Sequence, residues 1–261
     1  MTGQLKGLVA VITGGTEGIG RGIAEAFLAE GASVVVSGRS PDKGARALEE
    51  LDVGERAHFI AGDVKSKESV EALVDGAAEF GGSLHILVNN AGGSSGFNLV
   101  AELSDEAWQE ALDWNLNATF FATRRALKYF VPNSWGRIIN ISSAEGKEAT
   151  KAAVSHYITN KHAINGFTKA VAFEYGPMGI TCNAICPGAV ETALMKSAGR
   201  AYATSAGITY EQFLQAYADE SMIKRLNTVE EVAAMAVLLA SDVGGGITGS
   251  LLNVDGGTTS W

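Results

Sequence analysis

Tyr157 and Lys161 stand four residues apart, and Ser143 lies fourteen residues before the tyrosine. On a helix that spacing puts a phenol and an ammonium on one face. A phenol with a pKa near ~10 is a poor proton donor or acceptor at neutral pH. A cation beside it favours the phenolate. At about 4 Å and an effective dielectric of ~20, one unit charge supplies ~4 kcal/mol. At ~1.36 kcal/mol each, that is roughly three pKa units, enough to bring a tyrosine toward neutrality. The three residues would thus combine a tunable acid/base, its tuner, and a hydroxyl able to hydrogen-bond a carbonyl oxygen.

Such a set needs a frame, and the rest of the chain supplies one. Short apolar, β-branched runs alternate with longer helical patterns. Strands are predicted over residues 8–12, 33–37, 58–61, 86–88, 137–141, 180–185 and 251–254. Helices are predicted over 18–30, 42–51, 66–80, 106–130, 155–175 and 229–241. Ser66 reads as an N-cap, and Thr228 with Glu231 as a capping box. Nearly all-apolar strands are buried on both faces, which points to a parallel sheet. The alternation predicts an α/β, Rossmann-like, doubly wound sheet with helices on both faces. Ligands bind such sheets at the carboxyl ends of the strands. The residues able to do chemistry fall there. No linker or repeat is visible, so residues 1–261 are expected to form one dinucleotide-binding and catalytic domain. Residues 193–221 are the least regular stretch, with a helical piece near 210–217, and are expected to act as a lid or substrate-binding insertion.

Composition narrows the function classes. The chain has 261 residues, 46% hydrophobic and 19% charged, with a net charge of −9. It has no basic run, which argues against nucleic acid and anionic membranes as partners. Cys182 and Cys186 do not suggest a disulfide scaffold, and His58, His85, His156 and His162 show no metal-ligand spacing, so no metal is expected. The N-terminal residues lack a signal-peptide layout, and no apolar run reaches 18 residues. A cytoplasmic protein is expected. Trp108, Trp114, Trp135 and Trp261 are read as packing or interface residues. Phe97, Leu194, Met195, Tyr202 and Tyr217 could line a pocket or pack a lid.

Thr13-Gly14-Gly15-Thr16-Glu17-Gly18-Ile19-Gly20 bridges the first strand and first helix. Its glycines permit a tight turn, close phosphate approach and tight helix–strand packing, with the helix N-terminus facing a pyrophosphate. The spacing is G-x-x-x-G-x-G, not the common G-x-G-x-x-G.

With these motifs the chain resembles the short-chain dehydrogenase/reductase family over nearly its whole length. Asn89-Asn90-Ala91-Gly92 matches the family's strand-four motif, and Gly62-Asp63-Val64 its adenine-contacting turn. Pro187-Gly188-Ala189-Val190-Glu191-Thr192 matches the segment that touches the nicotinamide amide. The resemblance implies that Asn115, Ser143, Tyr157 and Lys161 are catalytic. It places cofactor contacts on Gly14, Thr16, Gly18, Ile19, Gly20, Arg39, Asp63, Val64, Asn90, Tyr157, Lys161, Val190 and Thr192. Tyr157 would be the general acid in reduction and base in oxidation. Lys161 would lower its pKa and bind the nicotinamide ribose, and Ser143 would bind the carbonyl oxygen. Asn115 would hold a helix irregularity and a relay water.

The chain departs from the family pattern twice. Many members place the serine thirteen residues before the tyrosine; Ser143 is fourteen away and Ser142 fifteen, as an insertion within 145–155 would produce. Ser143 is the choice, with Ser142 its structural neighbour. Glu17 stands where members that prefer a phosphorylated cofactor often carry a basic residue. At the end of the second strand, Gly38 leaves no carboxylate to repel a 2′-phosphate, and Arg39 could fork onto it. NADP(H) is favoured, with NAD(H) as the alternative.

The expected activity is hydride transfer between NADP(H) and a ketone or secondary alcohol. An NAD-dependent alcohol or hydroxyacid dehydrogenase is the runner-up. A non-catalytic nucleotide-sensing scaffold is a third reading, disfavoured by the complete tetrad. By resemblance the chain is expected to be a homotetramer or homodimer.

Overall fold

Strands apolar at every position must be covered on both sides, and the sheet is built that way. Residues 3–259 are described in the computed structural model of the chain; Met1, Thr2, Ser260 and Trp261, with the reading of Trp261 as a packing residue, lie outside them. The strands are β1 (Val9–Ile12), β2 (Ser33–Gly38), β3 (Ala57–Ala61), β4 (Ile86–Asn89), β5 (Gly136–Ile141), β6 (Ile180–Pro187) and β7 (Leu251–Val254). They form one parallel sheet in the order β3-β2-β1-β4-β5-β6-β7. Every residue of β1, β4, β5 and β6 is buried.

Period-two alternation divides the core into two layers. Ala10 and Ile12 face Ile23 and Phe27 of α1 (Gly18–Ala29), while Val9 and Val11 join Leu73 and Val74 of α3 (Lys67–Gly81). The remaining helices are α2 (Pro41–Leu51), α4 (Asp105–Leu112), α5 (Ala118–Asn133), α6 (Ser155–Tyr175), α7 (Ala193–Ala206), α8 (Tyr210–Glu220) and α9 (Val229–Ala240). Gly22 lets α1 approach α9, since a Cβ there would lie 2.0 Å from Val229 Cγ1. Strand order reverses between β1 and β4, which opens a crevice at their carboxyl ends.

Two expectations need correction. The single helix over 106–130 is interrupted at the irregularity the resemblance implied for Asn115: α4 and α5 are joined by a π-helical turn, Asp113–Asn117. The stretch 193–221 is regular, consisting of α7 and α8, each opened by a threonine cap. Its helices hide from sequence because they pack mainly on each other. Phe213 stands 5.9 Å from Tyr202, 5.9 Å from Tyr210 and 5.0 Å from Tyr217, ring centroid to ring centroid. Ser66 caps α3 and the Thr228–Glu231 box opens α9, as the spacing predicts.

Candidate active site

The glycine-rich turn is set by its neighbours across the sheet. The Thr13 hydroxyl accepts from the N–H groups of Asn90 and Ala91, each at 3.0 Å. Asn90 Nδ2 returns hydrogen bonds to the carbonyls of Thr13 (2.9 Å) and Gly14 (3.0 Å). Gly14 and Gly18 hold φ of +63° and +56°, which an L side chain rarely adopts. A Cβ on Gly20 would lie 2.4 Å from Asn90 Nδ2. A backbone cradle with no room for side chains thus stands at the start of α1. Thr16 lies against Gly38, and Ile19 packs on the core beneath. The part played by Thr13 escaped the sequence analysis, because nothing along the chain says that β4 lies beside β1.

The crevice floor continues through Asp63, whose carboxylate accepts from Lys65 N–H at 3.0 Å, and Val64, which packs on the core. Val190 is buried and bridges to Asn227. Thr192 caps α7 and its methyl faces Gly18. Arg39 is exposed at the end of β2, its guanidinium 5.9 Å from the Trp114 ring centroid. Glu17 pairs with Lys43 in the first turn of α2.

Helix α6 is locked to the sheet by a buried polar chain. Asn89 Nδ2 donates to Asn140 Oδ1 at 2.8 Å, and Asn140 Nδ2 to Thr168 Oγ1 at 2.9 Å. That chain fixes where Tyr157 and Lys161 come to rest. Lys161 is 4% exposed; its Nζ donates to the Ile141 carbonyl at 2.9 Å and stands 5.4 Å from the Tyr157 ring centroid. The Ser143 hydroxyl acts on the Tyr157 phenol and favours its phenolate. Ser142 turns the other way and donates to the Lys161 carbonyl at 3.3 Å.

Asn115, fully buried, sits in the π-helical turn. Its Nδ2 donates to the carbonyls of Gly93 (2.7 Å) and Ala111 (2.8 Å), and its Oδ1 accepts from Gly93 N–H at 3.2 Å. It satisfies a carbonyl that the widened turn releases and ties the loop after β4 beside Lys161. Asn115→Ala leaves these buried groups without partners and is expected to cost about 2–3 kcal/mol, read by urea unfolding. A loss under ~0.5 kcal/mol would contradict the tie.

The electrostatics overturn one expectation. The ammonium was expected to bring the phenol toward neutrality. Instead burial raises the Tyr157 pKa, with the Ser143 hydrogen bond opposing and the Glu145 charge adding to the rise. Burial also pulls Lys161 down to about 8. Both groups are desolvated, and the ammonium spends its closest contact on Ile141. In this protein on its own the phenol is a proton donor.

An open, parallel α/β sheet with a glycine cradle at its switch point and Ser143, Tyr157 and Lys161 beside it defines a dinucleotide-binding oxidoreductase. Residues 8–203 match the family model described as short chain dehydrogenase, and the chain belongs to the short-chain dehydrogenase/reductase family of NAD(P)-dependent enzymes. It is 37% identical to a 3β-hydroxysteroid dehydrogenase of Mediterraneibacter gnavus, over 99% of this chain and 97% of that protein. It is 38% identical to a D-β-hydroxybutyrate dehydrogenase of Cupriavidus necator, over 97% and 98%. A crystal structure of a substituted actinorhodin polyketide ketoreductase with NADPH superposes with a TM-score of 0.92 at 36% identity, covering 97% of this chain and 98% of that one. Among the described residues no helix is long and apolar enough to cross a membrane.

Proposed function

We propose that this enzyme reduces a ketone, or oxidises the matching secondary alcohol, with NADP(H) and with Tyr157 as the proton-transferring group. The observation that carries the reading is the buried Lys161 ammonium 5.4 Å from the Tyr157 ring centroid, with the Ser143 hydroxyl acting on the same phenol. The names of the relatives support carbonyl and hydroxyl chemistry.

The cradle of Gly14, Gly18 and Gly20, with Asn90 behind it, fits a pyrophosphate, and Arg39 with Ser40 at the α2 N-cap fits an adenosine-ribose phosphate. When bound, the nicotinamide supplies or accepts the hydride. The protein's own work is on the oxygen. Ser143 and Tyr157 donate hydrogen bonds to the carbonyl oxygen and polarise the bond. As charge grows on that oxygen it becomes more basic than a phenolate, so the Tyr157 proton moves to it even from a raised pKa. Lys161 stabilises the phenolate left behind. In the reverse direction the phenolate must form first, so alcohol oxidation should gain more from alkaline pH than reduction loses.

Glu17 favours the runner-up, an NAD-linked alcohol or hydroxyacid dehydrogenase, because it occupies Lys43 beside the expected 2′-phosphate site. Arg39 decides between the two readings. Arg39→Ala is expected to weaken NADPH binding by roughly tenfold while leaving NADH within about twofold, read by cofactor fluorescence titration. Equal losses for both cofactors would leave NAD(H) as the better reading. Following cofactor absorbance across a panel of ketones and alcohols tests the reaction itself. Cofactor binding without turnover on any of them would overturn it.

A further inference from the structure

Residues 143–155 lead from β5 to α6 and carry Glu145 two residues past Ser143. The Glu145 N–H donates to Ser143 Oγ at 3.1 Å, so the residue is tied to the hydroxyl that meets Tyr157. Its carboxylate is clamped across the loop: Oε2 accepts from Thr150 N–H at 3.1 Å, and Oε1 accepts from the Thr150 hydroxyl. Both donors are neutral, so they hold the charge in place without cancelling it. The negative charge adds to the effect of burial on Tyr157 and, behind the larger effects of Lys151 and Glu220, to that on Tyr217 of α8.

The surrounding cations are engaged elsewhere. Lys151 pairs with Glu220 and lies 4.4 Å from the Tyr217 ring centroid. Lys147 donates to Asn253 Oδ1 at 2.7 Å, on the β7 side of the loop. Lys161 donates to the Ile141 carbonyl at 2.9 Å and stands 5.4 Å from the Tyr157 ring centroid, so its charge serves the phenol.

We propose that Glu145 is a specificity-determining residue that excludes substrates carrying negative charge near the reacting carbon, so that the site takes neutral ketones and secondary alcohols. This rests on the reading above that Ser143 and Tyr157 hold the substrate oxygen. A short keto acid carries its carboxylate two carbons from the carbonyl. Two like charges at about 6 Å in an effective dielectric of ~20 disfavour binding by roughly 100-fold. A carboxylate at the far end of a large substrate escapes this repulsion by distance and water. Glu145 therefore separates short hydroxy and keto acids from neutral or remotely charged substrates.

The test compares acetoacetate with ethyl acetoacetate, using NADPH, in the native enzyme and in Glu145→Gln, which keeps one acceptor for the Thr150 N–H while its amide nitrogen can donate to the Thr150 hydroxyl. The native enzyme is expected to prefer the ester in kcat/KM by roughly 100-fold. In the variant that preference should fall at least tenfold, through the acid's KM, with the ester unchanged within about threefold. An acid used as well as the ester by the native enzyme, or a preference the variant does not move, overturns the proposal. A binding arm is independent of turnover: butyrate and butyramide are titrated against the enzyme–NADPH complex by cofactor fluorescence. Tighter binding of the amide, with the gap closing in Glu145→Gln, supports charge exclusion. Equal binding of both in both proteins, undetectable binding included, overturns it. Absence of ketone reduction with the binding gap intact would count against the proposed reaction and leave the role of Glu145 standing.

Discussion

Tyr157→Phe should lower kcat for ketone reduction by on the order of 10³-fold, within the range that a positioned general acid contributes. Only one oxygen is removed. The ring stays against Lys161, whose Nζ lies 5.4 Å from its centroid and keeps its bond to the Ile141 carbonyl. The glycine cradle and Asn90 are untouched, so NADPH affinity should remain within about threefold. Ser143 would lose its partner hydroxyl but could still polarise a carbonyl, which is why some turnover should survive. Stopped-flow measurement of NADPH oxidation in single turnover checks the loss on the chemical step. A rate within tenfold of the native enzyme would remove Tyr157 from the proton path.

Lys161→Met should give a protein that is more stable and far less active. Lys161 is buried, and its pKa is brought down to about 8 by desolvation from an unfolded value near 10.5. At pH 7 the folded protein must therefore carry a desolvated ammonium. At ~1.36 kcal/mol for each pKa unit, this opposes folding by about 3 kcal/mol. The sign follows from proton uptake. Between pH 8 and 10.5 the unfolded chain binds more protons than the folded one at this site, so stability rises with pH. The Lys161 contribution is fully present above pH ~10.5 and is lost as pH falls through 8. Methionine removes the charge, at the cost of the hydrogen bond to Ile141. Urea unfolding at pH 7 should show the variant as the more stable protein, with the gap narrowing as pH rises toward 10. Its kcat should fall by roughly 10²-fold or more, because no cation remains to stabilise the phenolate. A variant less stable than the native protein at pH 7 would mean that the hydrogen bond outweighs desolvation.

Much of this protein was legible along the chain because the physics involved is local. Apolar runs such as those over 8–12 and 86–88 read as strands covered on both faces, and β1 and β4 are. Ser66 and the Thr228–Glu231 box announced helix starts through side-chain donors and acceptors three residues apart. The four-residue step from Tyr157 to Lys161 put both on one face of a helix, and α6 carries them so. The glycine spacing announced a turn that needs φ above zero at Gly14 and Gly18.

What the chain hid depends on distance between remote segments and on exclusion of water. Thr13 and Asn90 are 77 residues apart, and only strand order makes them partners. The hydrogen bonds of Asn115 to Gly93 need the loop after β4 to come within reach, and the packing of Tyr202 of α7 on Phe213 of α8 needs both helices in place. The sign of the Tyr157 shift was hidden for the same reason. Spacing placed an ammonium near a phenol, which by Coulomb's law alone favours the phenolate; burial of both groups reverses the outcome. Residue types and intervals determined the fold class and the groups available for chemistry. The tertiary structure decided how those groups are charged, because desolvation belongs to an enclosed volume and not to any stretch of sequence.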